Sequence, residues 1–117
     1  MIRIAAQARI DIADTLRFTK FRLGESVRSR YQDLFQTTLQ SLAAGSTQIG
    51  ITLRDEVSPG LRSLHLNSHT LEMNDGRTIR PRHIVFFRTG KDQAVEILRV
   101  LHDAMEVTQH LKHLHQY

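Results

Sequence analysis

Five side chains in the second half of this 117-residue chain have the types that phosphate chemistry draws on. Arg62, Arg82, Arg88 and Arg99 could place charge around an anionic phosphorane, and His102 could pass a proton near neutral pH. Lysine occurs only at positions 20, 91 and 112, so arginine carries nearly all of the excess behind the net charge of +4, from 16 Lys plus Arg against 12 Asp plus Glu. The planar guanidinium grips carboxylates or phosphates bidentately. That fits an acidic protein surface or a nucleic acid, and charge alone does not choose between them; a solvated surface carries an excess of this size as well.

A second grouping, His110, His113 and His115, invites a metal. On a helix the first two face the same way, but the third points about 140° from His110, so three ligands do not converge and no metal site is expected. The absence of cysteine excludes disulfides and thiolate sites and is compatible with a reducing cytoplasm. No apolar run reaches the length of a membrane span, and Met1-Ile2-Arg3-Ile4 lacks the hydrophobic segment of a secretory signal, so a soluble cytoplasmic protein is expected. The length predicts one domain over residues 1–117.

The elements that must position these residues centre on two hydrophobic strands, His83 to Arg88 and Ala94 to Leu101, joined by a polar turn at Thr89 to Gln93 around Gly90. Strict alternation along the second puts Val95, Ile97, Arg99 and Leu101 on one face, with Leu98 and Val100 on the other. Both faces then need cover. Arg99, among aliphatic neighbours, requires a carboxylate, carbonyls or water, or is kept for a ligand.

Upstream, Ile2 and Ile4 suggest a short edge strand. A helix from about Gln7 to Leu23 has two apolar sides, Ile10, Ala13, Phe18 and Phe21 against Ile12, Leu16 and Leu23; one packs inside, and the other needs a second internal neighbour or a partner. Gly24 and Ser26 stop it and cap a second helix, Val27 to Ala44, with the stripe Val27, Tyr31, Leu34, Phe35, Thr38 and Leu42. A break of two or three residues makes the pair an antiparallel hairpin. Residues 46–59 read as a connection, with a short extended stretch at Ile49, Ile51 and Leu53, ending in a type II turn at Ser58-Pro59-Gly60. A strand follows over Leu61 to Leu66. Asn67 to Arg82 contains Asn74-Asp75-Gly76 and reads either as a small hairpin or as an irregular excursion. Asp103 to Thr108 can open a terminal helix carrying Leu111 and Leu114.

Pro59-Gly60-Leu61-Arg62, His83-Ile84-Val85-Phe86-Phe87-Arg88 and Ile97-Leu98-Arg99-Val100-Leu101-His102 with Met105 following, together with Arg9-Ile10-Asp11-Ile12 and His110-Leu111, resemble the ParE branch of the RelE/ParE toxin superfamily. Departures are Phe87 and Glu106, where relatives often have tyrosine and aspartate, and a longer Asn67 to Arg82 segment. The resemblance implies an α+β domain: an N-terminal strand and an antiparallel helical hairpin packed on a twisted antiparallel sheet, with a short C-terminal helix. It also implies the toxin of a type II toxin-antitoxin pair, growth-arresting, bound by a ParD-like or other small antitoxin in a hetero-oligomer. ParE-like members poison DNA gyrase without catalysis; RelE-like members are ribosome-dependent mRNA endonucleases; an inactive relative would act only as a binding module. The lysine-rich strand and late tyrosine of the nucleases have no counterpart here, which favours gyrase. No cofactor or metal is implied. On this reading Arg62, Arg82, Arg88, Arg99, His102, Met105 and Glu106 form or support the target-facing edge, and Ile10, Phe18 and Phe21 face the antitoxin.

Overall fold

The computed structural model describes residues 1–45, 50–105 and 107–111. A five-stranded sheet in the order β1-β7-β6-β3-β2 carries two helices on one face. Its strands are β1 (Ile2–Ile4), β2 (Ile51–Leu53), β3 (Arg62–His65), β6 (His83–Thr89) and β7 (Val95–His102); α1 (Ala6–Leu23) and α2 (Glu25–Ala44) form the hairpin. A small two-stranded sheet, β4 (Leu71–Glu72) and β5 (Thr78–Ile79), lies between β3 and β6 in sequence, and α3 (Val107–Leu111) ends the described chain. The β6–β7 pair occupies the centre, as its apolar composition predicts. The sheet is mixed rather than antiparallel throughout: β1 runs parallel to β7, Ile2 beside Val95 and Ile4 beside Ile97.

The helical break is one residue. Gly24 closes α1 through its N–H to the Lys20 carbonyl (2.9 Å) and opens α2 by accepting from Arg28 N (3.1 Å). Its φ of 94° and ψ of 171° belong to a region that only glycine enters at little cost, so Ser26, expected as the cap, lies inside α2. The α2 stripe is buried as its spacing predicts, with Leu39 added and Leu34 partly exposed. The buried seam of α1 is small and polar instead: Ala8, Thr15 and Thr19. The two threonine hydroxyls donate to the carbonyls of Asp11 and Thr15 at 2.8 Å each, which satisfies them without a distant partner. Ile12 and Leu16 pack beside this seam.

Two further expectations change. Ile51–Leu53 is a strand of the main sheet rather than part of a connection, because Leu53 to Ile51 can pair antiparallel with Arg62 to Leu64. The β6–β7 turn forms around Gly90 as expected, with Gln93 left-handed (φ 67°) and the ends of the Arg3, Asp92 and Glu96 side chains close over the glycine. On β7 the alternation breaks. Phe86 opposes Arg99 but Phe87 opposes Ile97, so Leu98 is an extra residue and the faces exchange beyond it. Val95, Ile97 and Val100 therefore join the large core under the helices, while Leu98 and Leu101 join a second core on the other face with Val57, Leu61, Phe86 and Leu111.

The Ser58-Pro59-Gly60 turn forms as predicted, with Leu61 N donating to Ser58 O (3.0 Å) and Gly60 at φ 77°. Asn67 to Arg82 resolves as the hairpin, turning at Gly76 (φ 86°), and it is anchored: Leu71 is buried in the large core and Arg30 donates to the Glu72 carbonyl at 2.5 Å. The terminal helix starts at Val107, after a turn at Asp103–Met105.

Candidate functional site

Where β6 begins and β7 ends, a polar cluster gathers from four elements and the residues flanking two of them. Its members are Tyr31 of α2, His65 of β3, His83 of β6, His102 of β7, and Arg82 and Asp103 beside them. Two of the imidazoles use Nδ1 as an acceptor: the Asn67 amide donates to His65 Nδ1 at 3.1 Å, and the Ala104 amide to His102 Nδ1 at 3.0 Å, while Tyr31 OH lies 2.7 Å from His83 Nδ1. When neutral, the rings of His65 and His102 therefore carry the proton on Nε2. His65 spends it on Asp103 Oδ2 at 2.9 Å. Among the described residues no hydrogen bond forms at Nε2 of His102, which is left for a partner in the adjoining cleft.

Burial decides the charge states. It pushes His83 down to about 4, with nearby His102 adding to the effect, and it pushes the Tyr31 phenol up, with the Asp103 charge adding. The pair is thus a neutral imidazole hydrogen-bonded to a protonated hydroxyl. For Asp103, burial raises the carboxyl, but His65 and Arg82 more than offset it and hold it below its ordinary range. Arg82 Nη2 stands 2.8 Å from Asp103 Oδ1 in an ion-pair contact bent away from hydrogen-bond geometry. The rings of His83 and His102 meet edge to face with centroids 5.3 Å apart.

A cleft of about 490 Å³ opens over this cluster. Phe18, Arg22 and Leu23 of α1 form one wall, Ile79 to His83 another, and His102 and Met105 the third. Three of the target-facing candidates, Arg82, His102 and Met105, come together here, and Phe18, expected to face the antitoxin, lines the same cleft. The others lie elsewhere. Arg88 is five residues along β6 from His83, about 17 Å at strand rise, donating to Ser58 Oγ (2.9 Å) with its Nε buried and lacking an acceptor among the described residues. Arg62 is exposed near the same end, opposite Phe87. Glu106 lies outside the described residues, as do His113 and His115, so the full histidine grouping is not placed; among the described residues no set of three ligand side chains could hold a metal.

Arg99 has found the carboxylate its surroundings demand. Its Nε and Nη2 donate to Asp11 Oδ2 (2.8 Å) and Oδ1 (3.2 Å), its Nη1 to the His110 carbonyl (3.3 Å), and the side chains of Arg99 and Asp11 are 13% and 10% exposed. On α1 the outward apolar side is uncovered: Ile10 is 51%, Phe18 62% and Phe21 85% exposed, with Arg22 over the Phe18 ring at 5.7 Å.

Sequence reasoning singled out none of Tyr31, His65, His83 or Asp11 as functional, and reached Asp103 only as part of the segment His102 to Glu106. The available signal was polar residues in apolar contexts: His83 before a run of four apolar residues, and Asp11 between Ile10 and Ile12.

A family model described as ParE toxin of type II toxin-antitoxin system, parDE, matches residues 2–107. No curated protein matches the chain. No described helix is long and apolar enough to cross a membrane.

Proposed function

The chain belongs to the ParE toxin family of type II toxin-antitoxin systems, which implies a ParD-type antitoxin as its partner, and on that footing we propose that it arrests growth by binding DNA gyrase rather than by cutting RNA. One observation supports this most. The arginines do not converge on a single reacting phosphate: Arg99 is held by Asp11, Arg82 by Asp103, and Arg88 and Arg62 lie at the far end of the strands. Phosphoryl chemistry needs its charges gathered at the place where charge develops. A cleft with apolar walls and rim charges of both signs, Arg22, Arg80 and Arg82 with Asp11 and Asp14, is better suited to holding a protein surface.

In this reading Arg82, His102 and Met105 contact the target, and Ile10, Phe18 and Phe21 are covered by the antitoxin. Gyrase supercoiling and cleavage, assayed with purified chain beside ribosome-programmed mRNA cleavage, tests it. Lost supercoiling or accumulated cleaved DNA with intact mRNA is expected. Cut mRNA with gyrase unaffected would move His102, with its open Nε2, into an acid-base role as in RelE-like endonucleases. A chain that arrests nothing on expression without antitoxin would be a binding module alone.

A further inference from the structure

We propose that Asp11, a residue of α1 at the margin of this cleft, is a positioning residue for the C-terminal end of the molecule: it fixes Arg99, and through Arg99 the placement of α3 and the turn before it. The argument begins at the edge of β7. β1 pairs with that strand from Val95 to Ile97, and beyond Ile97 the edge has no neighbouring strand among the described residues. Asp11 takes over there, its Oδ2 accepting from Val100 N at 2.9 Å as a strand carbonyl would. The extra residue at Leu98 breaks the alternation just before Arg99, and Arg99 Nε meets the same Oδ2 at 2.8 Å.

The third guanidinium nitrogen completes the chain of contacts. Nη1 donates to the carbonyl of His110, in the last turn of α3. A helix of five residues does not stand on its own propensity and depends on what it is tied to. Among the described residues it is tied by Leu111, fully buried in the second core, and by this bond. The Asp103–Met105 turn is bounded by the same two elements, β7 before it and α3 after it. Asp11 therefore joins the helix that presents Ile10 and Phe18 to the segment that carries Met105.

Only the growth readout of this inference rests on the toxin reading; the structural readout does not. The test compares Asp11→Asn, which removes charge but keeps shape, and Arg99→Lys, which keeps charge but cannot reach Asp11 and His110 together. Native-state amide exchange and growth arrest are measured for both and for the unaltered chain. Amides of residues 107–111 should exchange at least about tenfold faster in both variants, a larger factor than the Val85 amide in the sheet centre shows, and growth arrest should weaken in both. Unchanged exchange at 107–111, or an equal rise at Val85 that marks general loosening, overturns the proposal. So does an Arg99→Lys chain that loses toxicity while Asp11→Asn keeps it, since Arg99 would then touch the target itself. If the unaltered chain arrests nothing, the toxin reading fails and the exchange ratio still decides the role of Asp11.

Discussion

Two ion pairs tie the N-terminal elements to β7, and they differ in almost everything except their chemistry. At the start of the strand Arg3 of β1 meets Asp92 (2.8 Å) and Glu96 (3.6 Å), with Arg3 and Asp92 side chains 46% and 56% exposed. Near its end Arg99 meets Asp11 at 2.8 Å with both side chains nearly enclosed. The first pair is screened by water and holds the Asp92 carboxyl down to about 2 through the Arg3 hydrogen bond, yet β1 has strand pairing to keep it in place without it. The second pair replaces strand pairing. Removing either partner strands a charge where water does not compensate it. Environment, not charge, decides which of two similar contacts the fold depends on.

The sharpest way to break this contrast is Asp11→Ala, which leaves Arg99 and the Val100 amide without their acceptor. It should cost about 3–5 kcal/mol in urea unfolding, and a loss under about 1 kcal/mol would place the two pairs in the same class.

The next effect concerns His83, enclosed at the same end. The unfolded chain takes up a proton near its ordinary 6.5, whereas the folded chain does so only at about 4. Stability is therefore full above pH 6.5 and falls as pH drops through that window, by at most about 3 kcal/mol because the ring is partly exposed. Asp103, held below its ordinary range, adds its own loss only at lower pH. An equally steep fall in His83→Gln would assign the slope to another group.

Smaller still, Phe18→Ala and Phe21→Ala should leave stability within about 0.5 kcal/mol, because both rings are exposed, while weakening antitoxin affinity in titration calorimetry. Retained affinity in both would remove α1's outward side from the interface. Least of all, Arg3→Ala should give a shift in the thermal midpoint that added salt abolishes; a salt-independent shift would show that the exposed pair is not screened after all.

Much of this was legible in the sequence. The β6–β7 hairpin, the α2 stripe, the Pro59-Gly60 turn and the demand of Arg99 for a partner all follow from local pattern, because each is set by residues within a few positions. The identity of that partner did not follow: Asp11 is 88 positions away, and nothing local marks a carboxylate as belonging to one distant arginine. The inserted Leu98 was equally silent, since Leu98, Val100 and Leu101 are all apolar and either phase of alternation buries some of them. The polar cluster suffered from the same distance effect. Tyr31 and His83 are 52 positions apart, and each alone reads as an ordinary amphipathic residue in a core stripe.

The sheet order also has a consequence for how the molecule comes into being. β7 is bonded to β1 on one side and β6 on the other, yet it is made from residues 95–102, late in the chain. During synthesis α1 and α2 are complete long before β7, the strand on which α1 packs, exists, and β1 waits without its partner until Val95 to Ile97 arrive. Loop closure over such a span is slow but not prohibitive, so closure belongs to the final stage of folding. A chain that stops before Val95 thus leaves both β1 and β6 without the strand that joins them into one sheet.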